Sequence, residues 1–303
     1  MMNDFAAQRA ALADVVAITV SPFDADGAFD RDVYRTLVRR LVDGGVRTLT
    51  ANGNTSEFYS LTLEERRVET ELTVAEAGDG TQVIVGVGQD ATTAVAAARH
   101  AAEAGASMVM VHQPVNPYVS QDGWIEYHRL VAEAVPELGV VPYVRNPAIE
   151  GASLARLGEL SPNVVGAKYA VPDPVRFATF ARDAGRDRFV WVAGLAELYA
   201  PAYFACGATG FTSGLVGVAP AISREMLAAL RVGDYPAAMR VWDRIRVFEE
   251  LRAARQSADN VTVVKEALAA LGLCRRDVRP PSSVLPEPSR AAVAAIVEGW
   301  EVA

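Results

Sequence analysis

Lysine is almost missing from this chain: of its 29 basic residues only Lys168 and Lys265 are lysine, and the other 27 are arginine. Where a fixed positive charge is enough, guanidinium serves. A lysine kept inside the apolar run from Asn163 to Val171 therefore points to chemistry that guanidinium cannot perform. An arginine stays protonated, whereas an ammonium desolvated among Val164, Val165 and Ala167 has its pKa lowered and exposes a free amine that can attack a carbonyl carbon. Two other readings stand beside it: a structural lysine reaching out of a strand end, and a compositional bias that favours arginine and alanine throughout.

Other scarcities narrow the function further. The two cysteines, Cys206 and Cys274, form neither a metal-ligand spacing nor a disulfide framework. Positive charge is in deficit, with a net charge of −8 and a pI near 5.1. That balance argues against nucleic acid and anionic membrane as partners and leaves a small molecule as the expected ligand. No apolar run reaches the roughly 18 residues that a membrane span needs, and Met-Met-Asn-Asp-Phe is not a basic region followed by an apolar one. The expectation is a cytoplasmic protein. With 303 residues and 51% hydrophobic content, one large domain, or one domain with an appendage, can bury a sizeable core.

What is present is alternation. Strand patterns fall at residues 15–20, 47–51, 82–87, 107–112, 139–145, 164–169, 188–193 and 207–212. Helical patterns lie between them at 30–43, 63–77, 92–104, 123–135, 154–160, 174–184 and 196–206. Thr62-Leu-Glu-Glu65 has the form of a capping box, and Asp90 and Ser153 read as N-caps. Gly44-Gly45, Gly105 and Gly207 stand where a helix closes with φ above zero. Eight such units fit an α/β fold, a (β/α)8 TIM barrel, better than an open doubly wound sheet. Gly86-Val-Gly88 begins a dinucleotide-binding pattern but lacks its third glycine, since residue 91 is alanine, and reads as a tight turn. After Pro220 only helical patterns continue, at 221–231, 236–254, 261–271 and 288–300, with a proline-rich connector at 279–288. The predicted organisation is a barrel over 1–220 and a C-terminal helical region over 221–303.

In such a barrel the active site lies at the C-terminal ends of the strands, where polar groups collect as each apolar run stops. Strand two ends in Gly53-Asn-Thr-Ser-Glu57, strand four in His112-Gln-Pro, strand five in Tyr143-Val-Arg145, strand six in Lys168-Tyr169, and strand eight runs into Ser213-Gly214. An imine of Lys168 needs an acid and a base, for which the Tyr143 phenol is suitably placed. Asn54, Thr55 and Ser56 supply hydroxyls and backbone N–H groups for a substrate carboxylate. Arg145 either clamps a distal carboxylate or pairs with Glu57. His112 is either an added acid or base with an ordinary pKa or a hydrogen-bonded wall residue, the reading preferred here. Tyr118, Trp124 and Tyr127 read as packing or interface groups, His100 and His128 as surface or core-edge groups, and Lys265 as structural. Tyr169 should face away from the barrel interior by strand alternation.

The stretch from Gly53 to Arg66, Tyr143, Gly166-Ala-Lys168, the stretch from Gly207 to Gly214, Ile18 to Asp24 and Val263 to Gly272 together resemble the dihydrodipicolinate synthase/N-acetylneuraminate lyase superfamily. The resemblance spans nearly the whole chain. It implies that Lys168 forms an imine with a 2-keto acid, that Tyr143 relays protons, and that the Asn54-Thr55 turn holds the substrate carboxylate, with no metal or organic cofactor. It also implies a homo-oligomer, dimer or tetramer. Glu57 to Thr62, the Tyr143-Val-Arg145 order, Ala193 to Glu197 and Ala200 to Tyr203 are most similar to 5-dehydro-4-deoxyglucarate dehydratase-like members. Asn54 and Val115 stand where the biosynthetic synthase carries a hydroxyl residue and a tyrosine of a proton relay, which lowers that reading. Ser56, Val144 and Gly217 depart from residues common among the relatives. The expected function is thus a Schiff-base lyase on a 2-keto acid, as a dehydratase or decarboxylating dehydratase of a keto-deoxy sugar acid. The alternatives are a pyruvate-dependent aldolase or synthase-like condensation, and a ligand-binding barrel that has lost turnover.

Overall fold

The computed structural model describes residues 5–300; the chain ends at 1–4 and 301–303, which the sequence reading had also covered, lie outside the described residues. A short helix α1 (Ala6–Leu12) precedes eight strands, β1 (Val15–Ile18), β2 (Thr48–Ala51), β3 (Gln82–Val87), β4 (Met108–Val111), β5 (Gly139–Val144), β6 (Gly166–Tyr169), β7 (Val190–Ala193) and β8 (Gly210–Ser213). Consecutive strands pair in parallel, and β8 returns to β1 with Val15 opposite Phe211, so the sheet closes in the order of the chain. The expected (β/α)8 barrel is the observed fold.

Seven helices alternate with the strands: α2 (Arg31–Asp43), α3 (Leu63–Ala77), α4 (Ala91–Ala104), α5 (Gln121–Ala134), α6 (Gly151–Leu160), α7 (Pro174–Ala184) and α8 (Ala196–Ala205). Their starts are set by side chains that satisfy otherwise orphaned backbone donors. Asp30 accepts from Val33 N at 3.1 Å and Asp90 from Thr93 N at 3.0 Å. Thr62 and Glu65 form the reciprocal capping box. Ser153 is not an N-cap: α6 begins two residues before it, and its hydroxyl donates instead to Gln121 Oε1 at 2.6 Å. Gly86 is likewise not in a turn. It lies inside β3, where a Cβ would stand 2.0 Å from Asn52 O, so the missing side chain permits a close backbone approach.

After β8 comes α9 (Pro220–Arg231), which the sequence reading had put in the appendage. It packs on β1 and α8, with Pro220 against Gly44, and completes the helical ring. Strand signals stop before it because the last strand of a barrel also needs a covering helix. The chain continues as α10 (Tyr235–Ser257), α11 (Asn260–Ala270) and α12 (Glu287–Glu298), with the proline-containing connector irregular as expected.

Two apolar layers result. The larger lies between strands and helices; it takes in Tyr169, Phe177 and Tyr203, so Tyr169 does face outward from the barrel. The smaller fills the barrel interior with Leu12, Val16, Ile84, Met108, Met110 and Val165, among others. Leu12 of α1 belongs to this layer, and Arg9 Nη1 bonds Val165 O and Arg188 O at 3.0 Å each. The barrel floor is therefore closed and its opposite end carries the polar groups.

One buried ion pair ties the C-terminal helices to the barrel. Lys265 of α11 donates to Glu57 Oε2 at 2.5 Å and to Asp277 O at 2.7 Å, while Glu57 Oε1 accepts from Arg279 N at 2.8 Å. Both side chains are essentially inaccessible. Such a pair is weak evidence of net stabilisation, but losing one partner strands a buried charge. We expect Lys265→Met to cost about 3–5 kcal/mol in denaturant unfolding, with no imine chemistry of its own to lose.

Candidate functional site

The register of two neighbouring strands creates the site. Tyr143 on β5 pairs with Lys168 on β6, so both side chains enter the barrel at one level. They are 5% and 4% exposed, and the Lys168 ammonium lies 4.4 Å from the centroid of the Tyr143 ring. Asn54 Nδ2 donates to the Tyr143 hydroxyl at 3.3 Å, which links the phenol to the turn after β2. A cavity of about 370 Å³ opens above them, lined among others by Asn54, Thr55, Tyr143, Arg145 and Lys168.

Burial pushes the Lys168 amine down to about 7, and the positive charges of Arg145 and then Arg252 push in the same direction. Near neutral pH a substantial fraction is free amine, able to attack a carbonyl. Burial raises the Tyr143 phenol, with Arg145 and the Asn54 hydrogen bond opposing, so the phenol stays protonated at neutral pH.

The turn after β2 is held from below. It is bracketed by Asn52 and Glu57, with φ of 57° and 58°. Ser56 Oγ donates to Thr19 O at 2.7 Å. The buried carboxylate of Glu69 accepts from Asn52 N at 2.6 Å, from Thr19 Oγ1 at 3.3 Å and from Ser21 Oγ. Among the described residues, Asn54 N and Thr55 N donate to no protein acceptor, which leaves two N–H groups for an anion.

The pattern of the Dihydrodipicolinate synthetase family matches residues 11–299. The chain belongs to that family. A protein of Rhizobium rhizogenes named "Probable 5-dehydro-4-deoxyglucarate dehydratase" is 33% identical over 301 residues, 98% of each chain. A protein of Phenylobacterium zucineum named 4-hydroxy-tetrahydrodipicolinate synthase is 34% identical over 287 residues, covering 93% of this chain and 95% of its own. Among solved structures, dihydrodipicolinate synthase from Oceanobacillus iheyensis superposes with a TM-score of 0.93 at 31% identity, over 99% of this chain and 100% of its own. The Bacillus clausii dihydrodipicolinate synthase gives 0.92 at 37% identity over 97% and 99%.

Within this family member, Lys168, Tyr143, Asn54, Thr55, Arg145, Ser213 and Gly214 come together around one cavity. The Ser213 hydroxyl is already committed, donating to Glu197 Oε1 at 2.5 Å and accepting from Val216 N at 2.9 Å. Ser56 and His112 do not reach the cavity wall. Ser56 faces β1 beneath the turn, because its side chain is consumed in holding that turn down. His112 stacks on Phe58 with centroids 4.0 Å apart and donates from Nε2 to Asn52 O at 2.8 Å. Burial drives its pKa down to about 3, so it is neutral and not the ordinary acid or base entertained from sequence. Arg145 does not pair with Glu57, which is taken by Lys265. His128 is fully buried rather than at the core edge, bonded through Nδ1 to Trp124 O at 2.7 Å.

The sequence reading missed Glu249, Arg252, Gln256, Ser257 and Asn260, all of which line the cavity from α10 and α11. Their position depends on helix packing more than 80 residues from Lys168, and no local motif marks them. Among the described residues no group of three or more His, Cys, Asp and Glu could hold a metal ion, and no helix is long and apolar enough to cross a membrane.

An amine attacks a carbonyl only in its unprotonated form, so labelling of Lys168 by a carbonyl reagent should rise with pH through an inflection near 7 and level off above it. Removing a neighbouring cation with Arg145→Gln should move that inflection to higher pH. Reductive trapping rates measured across pH read both effects.

Proposed function

We propose that this lyase of the Dihydrodipicolinate synthetase family forms a Schiff base between Lys168 and a 2-keto acid, and dehydrates a keto-deoxy sugar diacid with or without loss of carbon dioxide. The observation that carries the reading is a buried amine with a lowered pKa, next to a protonated phenol at the bottom of a cavity. In this reading the Lys168 amine attacks C2 of the substrate, and the carbinolamine loses its hydroxyl as water to give the imine. Tyr143 gives and retrieves the protons that these steps exchange. The imine draws electrons from C3–H; loss of that proton gives an enamine, which expels the C4 hydroxyl as water once it is protonated. The iminium then serves as the electron sink that a later decarboxylation needs.

Three further observations support a diacid. The Asn54-Thr55 turn offers its N–H groups to the C1 carboxylate, Arg145 stands exposed at the rim for a distal one, and the R. rhizogenes relative carries a dehydratase name. A second reading, condensation of pyruvate with an aldehyde, draws on the P. zucineum relative. Against it, the amide of Asn54 bonds Tyr143 where a proton-passing hydroxyl is wanted, and Val115 is 55% exposed outside the cavity. A barrel without turnover is disfavoured by a lysine that makes no hydrogen bond or ion pair among the described residues.

Mass spectrometry after borohydride reduction, with pyruvate and with 5-dehydro-4-deoxyglucarate, should show adducts on Lys168. Turnover of the diacid should release water, and measurement of carbon dioxide separates plain from decarboxylating dehydration. Lys168→Ala should remove the adduct and the turnover, and Tyr143→Phe should lower kcat by roughly 10²–10⁴. Turnover of Lys168→Ala at the wild-type rate would sink the imine mechanism. A homo-oligomer is part of the same proposal, with the exposed Tyr118 as a candidate contact residue. Sedimentation at the 32.3 kDa of one chain would refute it.

A further inference from the structure

Among the described residues, Arg252 is the one cavity-lining guanidinium that comes from outside the barrel and is nevertheless buried, at 5% exposure. Three of its N–H groups are used: Nη1 to Glu249 Oε1 at 2.6 Å, Nη2 to Asn260 Oδ1 at 2.8 Å, and Nε to Asn260 O at 3.4 Å. A guanidinium carries five, so two remain. Its place is defined by what Gly214 lacks. A Cβ there would lie 2.7 Å from Arg252 Nη2 and 3.3 Å from Thr55 Cγ2. The guanidinium and the carboxylate-accepting turn therefore border the same small space at the ends of β2 and β8, and a side chain on residue 214 would push them apart.

The backbone between α10 and α11 is bent in a way that serves this placement. Arg255, Gln256 and Ser257 are three consecutive non-glycine residues with φ of 51°, 58° and 67°. Each such residue carries a backbone cost and persists where the surroundings over-determine it. Here the bend turns the chain back so that Asn260, on the next helix, grips Arg252, and Gln256 and Ser257 join the cavity wall. Glu249 balances one unit of charge and restrains the guanidinium from the other side. Arg145, by contrast, is exposed at the rim and free of ion pairs among the described residues.

We propose that Arg252 is the charged ligand of the substrate's C1 carboxylate, completing from the C-terminal helices the site that the Asn54-Thr55 turn begins. Backbone N–H groups alone offer neutral donors to a carboxylate that leaves water; the two remaining N–H groups of an ionised guanidinium beside them, even with Glu249 paired on its other side, make charge-assisted hydrogen bonds, which are shorter and stronger. The proposal rests on the imine reading above, since without an imine at Lys168 there is no C1 carboxylate to place.

The test compares pyruvate, which carries only that carboxylate, with methyl pyruvate, which has the same carbonyl and no anion. Cyanoborohydride trapping of Lys168 is followed by intact mass as a function of ligand concentration, in wild type, Arg252→Gln and Arg252→Lys. We expect Arg252→Gln to raise the half-saturating pyruvate concentration at least about tenfold, as loss of a charged hydrogen bond should. With trapping read well above the Lys168 inflection, where the amine is free in every variant and the lost charge of residue 252 no longer changes its protonation, methyl pyruvate should stay within about twofold, and Arg252→Lys should recover part of the loss. Equal weakening for both ligands would reveal a structural role and overturn the proposal, as would pyruvate trapping that does not change. If the glutamine variant does not fold, Arg252→Lys carries the test: pyruvate weakened severalfold with methyl pyruvate unchanged supports the assignment, and no difference between the ligands refutes it. Wild-type protein labelled by neither ligand would remove the imine itself, whereas labelling that is indifferent to residue 252 removes only the role of Arg252.

Discussion

The site depends on a lysine amine that is buried, among the described residues, without a carboxylate to hold its proton. The chain contains both possible fates of a buried lysine. Lys265 has Glu57 at 2.5 Å, and that pair locks two parts of the fold together. Lys168 has an aromatic face, and guanidinium charges that further lower its pKa. Charge on that amine is costly, so the neutral, nucleophilic form is the less strained one near neutral pH. The closed barrel floor, built with Leu12 and the apolar interior layer, keeps water from relieving the cost from below.

A second constraint concerns the turn after β2. Its N–H groups can serve an anion only if they are held apart from competing acceptors, and that requires support underneath. Thr19, Ser21 and Asn52 provide it as the three donors to the buried Glu69, and Ser56 adds its own bond to Thr19 O. The same economy explains His112, whose ring holds Asn52 O and packs on Phe58. Side chains with reactive names thus act here by fixing backbone, and the groups left free face the cavity.

Much of the fold was legible in local pattern. Strand and helix periods, the Thr62 capping box and the Asp90 cap follow from nearest-neighbour chemistry, and the structure repeats them within a few residues. Ser153 was misread because a serine three residues into a helix has the same local surroundings as one at its start; its partner, Gln121, lies on another helix. Gly86 was misread as a turn because its reason for being glycine is the carbonyl of Asn52, just past the end of the adjacent strand β2. The assignment of α9 to the appendage took the end of the strand signal for the end of the barrel.

The sequence by itself determined the eight-unit barrel and singled out Lys168, Tyr143 and the Asn54-Thr55 turn, because each of these is written in residue type, period or short spacing. Tertiary structure alone decided which polar groups meet the cavity. Ser56 and His112 turn out to be supports, and Glu249, Arg252 and Asn260 arrive from helices that follow the barrel in the chain. The physical reason is that burial and hydrogen-bond competition are properties of where side chains pack, and a bend of three left-handed residues brings together groups that no sequence spacing relates.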